Sequence, residues 1–334
     1  MFTSTPATTP GPSLRKLARC ALPALCLLLT ACSESDDSDG DGQLSVSITD
    51  APIYDAQKVE IDFGGIEIKP ADGPARSFVF CKDPVNPVFN PPIVEEDECS
   101  ATDPVLVTID LLEQTGGASY LLLDRIDLEA GRINWLRLAV ADPAGRLVLS
   151  TGTYDLTVPS GNQTGLKLNR GFTIPEDGQT HVYIDFDVRK SIVQAGANYR
   201  LKPTLRLVEE FGAIAGEVSA LLLQPTCLGP TVYVFEGAAA TPDDIERDKD
   251  DPVSSAMVVT DATSTTGYSY RADFLEPGDY TVAFVCADGV SPDGGLTFTQ
   301  PADDPDSDDA VNFTLAVPSS SATVIDGDTQ TIDF

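Results

Sequence analysis

LSVSITDAPIYDAQKVEIDFGGIEI, residues 44–68, alternates apolar and polar side chains with few interruptions. Leu44, Val46 and Ile48 share one side of an extended chain, with Ser45, Ser47 and Thr49 on the other. Val59, Ile61 and Phe63 then alternate with Glu60 and Asp62. A period of two belongs to a strand, because successive Cβ atoms point to opposite faces. Pro52 ends the first run. Gly64-Gly65 breaks or bulges the second before Ile66-Glu67-Ile68 resumes. The same pattern returns in VLVTIDLL (105–112), SYLLLDRI (119–126), INWLRLAV (133–140), HVYIDFDV (181–188) and YRLKPTLRLV (199–208). Gly116-Gly117, Ala130-Gly131, Asp142-Pro143 and Gly196 separate these runs. Short strands at such spacing, with no long helical period, predict an all-β antiparallel sandwich over residues 43–209.

A second sandwich is expected over residues 210–334. GAIAGEVSALLL (212–223) opens it, and GYSYRADFLEPGDYTVAFVC (267–286) supplies two strands around Leu275-Glu276-Pro277-Gly278. Pro followed by Gly suits a type II turn, since Pro presets φ and Gly tolerates φ > 0. TVIDGDTQTIDF (323–334) supplies a last strand.

Both sandwiches follow a leader. Residues 1–31 hold three bases and no acid, then the short apolar run ALPALCLLLTA, which reads as a secretory signal and not as a membrane span. It ends in Leu29-Thr30-Ala31-Cys32, which resembles the lipobox of bacterial lipoproteins. The resemblance implies cleavage after Ala31, a diacylglycerol on Cys32, and a partner in the membrane held through that lipid. By the same resemblance Ser33, where an aspartate would favour the inner membrane, implies the outer membrane. Residues 32–42 continue as an acidic tether, CSESDDSDGDG, too polar to fold alone. Asp37-x-Asp39-x-Asp41-Gly42 matches half of an EF-hand loop, but Ile48 occupies the position of the closing Glu and no helix flanks it.

The chain of 334 residues carries 52 acids and 21 bases, a net charge of −31. Residues 43–209 hold 24 acids and 15 bases, and residues 210–334 hold 23 acids and 3 bases. Such a field repels phosphate backbones and argues against nucleic acid as a partner. Apart from Cys32, Cys81, Cys99, Cys227 and Cys286 remain beyond the leader. Three pairings are possible. Two cysteines fall in each proposed domain, which favours Cys81–Cys99 and Cys227–Cys286 in an oxidising envelope.

Ser47 to Val59, with TDAP at 49–52, the later TIDLLEQTGG (108–117) and the close YRLKPTLRLV resemble the bacterial envelope domain DUF4382. The resemblance covers about half the chain. It implies a secreted or lipid-anchored protein and no assigned activity. In the second half, Leu275, Pro277, Gly278 and Tyr280 fit an L-x-P-G-x-Y pattern that resembles transthyretin-like, carboxypeptidase regulatory-like and Cna-B-like modules. Those are mostly spacers or adhesive stalk units.

Chemistry-bearing motifs are sparse. His181 is the single histidine, and there is no G-x-S-x-G, H-E-x-x-H or Walker loop. His181 shares a strand face with Tyr183, Asp185 and Asp187, and is expected to be a surface residue. Asp185 with Asp187, and Glu60 with Asp62, are paired carboxylates that would serve a glycosidase only if two such groups faced each other. A solvated acidic strand face is the expectation. Asp243, Asp244, Asp248, Asp250 and Asp251 crowd one loop and Asp303, Asp304, Asp306, Asp308 and Asp309 another, as oxygen ligands for Ca²⁺ would. No other cofactor is implied. Trp135 clustered with several tyrosines on one face would favour sugar binding. The reading that emerges is a non-enzymatic binding, adhesion or structural module of the envelope. A carbohydrate- or calcium-binding receptor and a carboxylate-dependent hydrolase stand behind it.

Overall fold

The alternating runs form strands, and these assemble into four sheets. The structure, a computed structural model, describes residues 40–51, 56–82, 93–99, 105–158, 165–223, 227, 229–242, 251–286, 315 and 317–334. Asp39–Phe334 is one compact unit. The expected tether gives up its last two residues, because Asp41 and Gly42 already pair with Glu129 and Leu128. Extended backbone satisfies its own hydrogen bonds in a ladder whatever the side chain. The remainder of the tether and the leader, Cys32 included, lie outside the described residues.

The first sheet has the order β14 (Leu205–Val208), β11 (Gln179–Asp187), β1 (Asp41–Ala51), β6 (Tyr120–Glu129). The second runs β12 (Ile192–Ala195), β13 (Asn198–Leu201), β8 (Gly152–Thr157), β7 (Gly131–Leu149), β2 (Ala56–Pro70), β3 (Arg76–Phe80), β4 (Ile93–Glu95). Short strands β9 (Leu166–Leu168) and β10 (Phe172–Ile174) add to β7, and β5 (Val107–Asp110) adds to β2. These two sheets enclose a core that includes Leu44, Val46, Ile48, Ile61, Phe63, Ile184 and Phe186. Phe63 meets Phe186 edge to face at 6.1 Å, a contact contributing about 1 kcal/mol beyond burial.

The third sheet is β18 (Val259–Thr260), β19 (Tyr268–Leu275), β15 (Gly212–Glu217), β22 (Thr329–Thr331). The fourth is β17 (Ser254–Met257), β16 (Thr231–Glu236), β20 (Gly278–Val285), β21 (Ser320–Val324). Their core includes Ile214, Val232, Val234, Tyr270, Leu275, Val282 and Phe284. Antiparallel pairs dominate all four sheets, with parallel pairs at β1–β11, β13–β8 and β15–β22.

Several local expectations need correcting. YRLKPTLRLV is not one strand. It breaks at residues 202–204, where Pro203 has no N–H to donate, and β13 and β14 join different sheets. Asp142-Pro143 does not end a strand. β7 continues to Leu149, and its pairing with β2 jumps from Val140 to Gly145, so the extra residues bulge out. Gly145 permits this because a Cβ there would lie 1.9 Å from the Glu60 carbonyl oxygen. The Gly64-Gly65 bulge in β2 has the same cause: a Cβ at Gly65 would sit 2.1 Å from the Phe78 carbonyl oxygen. VLVTIDLL ends early, because Leu111–Glu113 form a 3₁₀ turn capped by Asp110. The Glu276-Pro277-Gly278 link is no hairpin turn, since β19 and β20 lie in different sheets and Gly278 is not left-handed. TVIDGDTQTIDF is likewise two strands in two sheets, β21 and β22.

Both expected disulfides are present. Cys81 bonds Cys99 with Cα atoms 5.8 Å apart, and Cys227 bonds Cys286 with Cα atoms 4.9 Å apart.

Candidate functional site

The face of β11 expected to be solvated is in fact buried, and so is the β1 face beside it. Ser47 is 2% exposed, Asp185 6% and Asp187 8%. The parallel register sets Ser47 beside Tyr183, Thr49 beside Asp185 and Ala51 beside Asp187. One side of this sheet packs on the first core, and residues of the third and fourth sheets cover the other. An alternating strand with polar groups on its second face looks the same in sequence whether water or protein lies there.

Each polar group on this face has a partner. The Thr49 hydroxyl donates to the carbonyls of Gln114 and Ala118. Asp185 Oδ2 accepts from Arg206 Nε at 3.0 Å and from its Nη2. Burial pushes the Asp185 carboxyl up, opposed by the Arg206 charge. Asp187 caps a short helix, α1 (Val188–Ser191), by accepting from the Lys190 backbone N–H at 3.1 Å. Burial pushes its carboxyl up too, opposed by Lys190.

Lys190 ties the two sandwiches together. Its Nζ donates to the Pro252 carbonyl at 2.6 Å and lies 3.4 Å from Asp251 Oδ2 and 3.6 Å from Asp187 Oδ2. Asp251 was expected as a calcium ligand, and an ammonium lies against it instead. The other nine aspartates of that expectation lie outside the described residues. Among the described residues no group of three or more His, Cys, Asp or Glu is placed to hold a metal. The Arg189 guanidinium lies 5.0 Å from the centre of the Tyr233 ring, and Arg170 pairs with Glu276. Tyr183, Phe211 and Phe274 form a mutual cluster with centroids 4.6–4.9 Å apart. Ions, a buried polar ladder and aromatic packing therefore join the two halves.

His181 is exposed as a residue but not idle. Its Nε2 is 2.8 Å from Ser47 Oγ, its Nδ1 3.3 Å from the Tyr183 hydroxyl, and its ring stacks on Tyr183 at 4.3 Å. A serine–histidine contact of that length is the first requirement of an activated nucleophile. The others are not met here. Ser47 is buried, and a phenol takes the place of an orienting carboxylate. Burial lowers the affinity of the ring for its proton, with Asp124 opposing. The folded state then binds that proton less tightly than the unfolded chain, so this group's contribution to stability is lost as pH falls through the lowered value. A proton NMR titration of the single imidazole is expected to show a midpoint below the ordinary value of about 6.5. A midpoint at or above it would mean that the ring faces water.

The paired carboxylates do not face each other. Glu60 binds Arg146 and Asp62 binds Thr108 on the outer face of the second sheet. Asp185 and Asp187 are on the outer face of the first, with the core between. Trp135 has cations for ring neighbours, and no ring contact with a tyrosine among the described residues: Lys167 Nζ is 4.4 Å and the Arg137 guanidinium carbon 4.8 Å from its ring centre.

Residues 41–203 match the family described as a domain of unknown function, DUF4382. The match takes in the TDAP stretch, the capped 3₁₀ turn, the Ser47–His181 contact and Lys190. It ends before Asp251 and Pro252, so the DUF4382 region supplies only one side of the junction. No curated protein matches the chain. Among solved structures, the Bacillus anthracis TIE protein is 9% identical with a TM-score of 0.18, over 88% of this chain and 34% of that one. The minor pilin GBS52 of Streptococcus agalactiae is 10% identical with a TM-score of 0.19, over 87% of this chain and 94% of that one. The major pilin subunit BcpA of Bacillus cereus is 9% identical with a TM-score of 0.19, over 88% and 99%. This chain thus spans about a third of the length of the TIE protein. Among the described residues no helix is long and apolar enough to cross a membrane.

Proposed function

We propose that the chain is a non-enzymatic binding, adhesion or structural module of the bacterial envelope, lipidated at Cys32 and carried on the outer membrane. The observation behind this reading is the junction. A fold that buries Lys190, Asp187 and Asp251 between two sandwiches keeps both halves in one fixed arrangement. A display or load-bearing module needs that, and a catalytic cleft does not. The second sandwich, with its L-x-P-G-x-Y stretch, acts as a spacer of the transthyretin-like kind.

The test is direct. Beads carrying residues 33–334 through their N-terminus should retain isolated envelope or extracellular polymer. The same protein should turn over no chromogenic ester or glycoside. Turnover abolished by Ser47→Ala or His181→Ala would replace this reading with a hydrolase.

A further inference from the structure

Where β9 and β10 pair with β7, the outer face of the second sheet reverses the charge of the chain. Residues 131–141 and 165–174 hold four bases and no acid, in a chain with 52 acids and 21 bases. These segments lie side by side, because β9 and β10 both pair with β7. Ile133, Leu136, Leu138, Leu166 and Leu168 point into the core, which turns Arg132, Trp135, Arg137 and Lys167 outward.

Arg137 and Lys167 are direct partners across the ladder. Like charges so placed destabilise a sheet. A local conflict of that kind, where acids are abundant elsewhere, marks a place kept for a task. Both cations are also held in position. Each lies against the Trp135 ring, and Arg137 Nη1 donates to Glu67 at 2.7 Å. Arg137 Nε is buried without a hydrogen-bond partner among the described residues. Lys69, the ladder partner of Trp135, donates to the carbonyls of Pro70 and Gly73. Arg132 has no carboxylate partner among the described residues. Arg137, Lys167 and Lys69 are thus held in place, and with Arg132 they share this part of the face with one carboxylate partner, Glu67.

We propose that this face binds an acidic polysaccharide, one with carboxylates on its sugar rings. Arg137 and Lys167 share a carboxylate, which relieves their repulsion, and Trp135 offers a flat apolar ring to the sugar. Charge complementarity singles out this occupant. The surrounding acids repel a polymer as densely charged as nucleic acid, or a plane of anionic lipid, while a chain with isolated charges can follow the stripe. The proposal rests on the binding-module reading and names its ligand class.

The test is titration of residues 33–334 with polygalacturonate, with neutral dextran as control. Wild type should bind polygalacturonate, less well as salt is raised, and should ignore dextran. Lys167→Glu and Trp135→Ala should each weaken binding about tenfold or more, with melting temperatures unchanged. No binding by wild type, equal binding by Lys167→Glu, or preference for anionic vesicles over polygalacturonate overturns the proposal. If wild type ignores polygalacturonate while coated beads still retain envelope polymer, the site is wrong and the binding module stands. If the beads retain nothing, both fall.

Discussion

Lys190→Ala is expected to destabilise the protein by about 4 kcal/mol, within the range for breaking a buried ion pair. The change removes the ammonium that lies against both Asp187 and Asp251, whose side chains are 12% and 5% exposed. It also removes the donor to the Pro252 carbonyl. Two carboxylates are then left close together in a buried junction. Burial already pushes the Asp187 carboxyl up against the opposing Lys190 charge, so losing that charge lets the folded variant hold a proton on Asp187 that the unfolded chain lacks. The penalty should therefore shrink as pH falls from 8 to 5. Chemical denaturation at the two pH values checks this. Lys190→Met, which keeps the packing, should show nearly the same penalty and the same pH trend. Adding Asp251→Leu should recover part of it, because it takes one of the two buried carboxylates out of the junction. A penalty independent of pH would assign Lys190 a packing role only.

Replacing Cys227 and Cys286 together by serine is expected to cost a similar amount, about 4 kcal/mol in the loop-entropy account. The bridge spans a sequence separation of 59 and closes the ends of β16 and β20, where Thr231 pairs with Val285. Both cysteines pack against the second core. Without the bridge the chain entering β16 loses its tie to the end of β20, and the fourth sheet should open first. The effect is read as a lower denaturation midpoint for the double variant. An unchanged midpoint would mean that the ladder alone holds the sheet.

The strands were legible because alternation is a local property, visible in Leu44-Val46-Ile48 without knowledge of any partner. Their neighbours were not. β1 pairs in parallel with β11, whose residues lie some 136 positions away, and no local signal specifies that choice. Asp185 and Asp187 were misplaced for the same reason. Polar groups on a second strand face fit water and a hydrogen-bonded junction equally well. The cation that settles the matter, Lys190, is on a short helix and meets Asp251 from a distant loop. Pro277-Gly278 misled because its dipeptide fits a turn locally, while the cores of two sheets draw β19 and β20 apart. The basic stripe was hidden by averaging. Net charge over a whole domain is negative, and only the ladder places Lys167 opposite Arg137. The cysteine pairs were readable because each falls within one sandwich.

The claim on which the account depends is that the two sandwiches unfold as one body through the Lys190 junction. Differential scanning calorimetry of residues 33–334, disulfides intact, tests it most directly. The account predicts a single transition whose calorimetric and van't Hoff enthalpies agree, splitting into two when Lys190 is replaced by alanine. Two separate transitions in the wild-type protein, with Lys190→Ala leaving both in place, would contradict it.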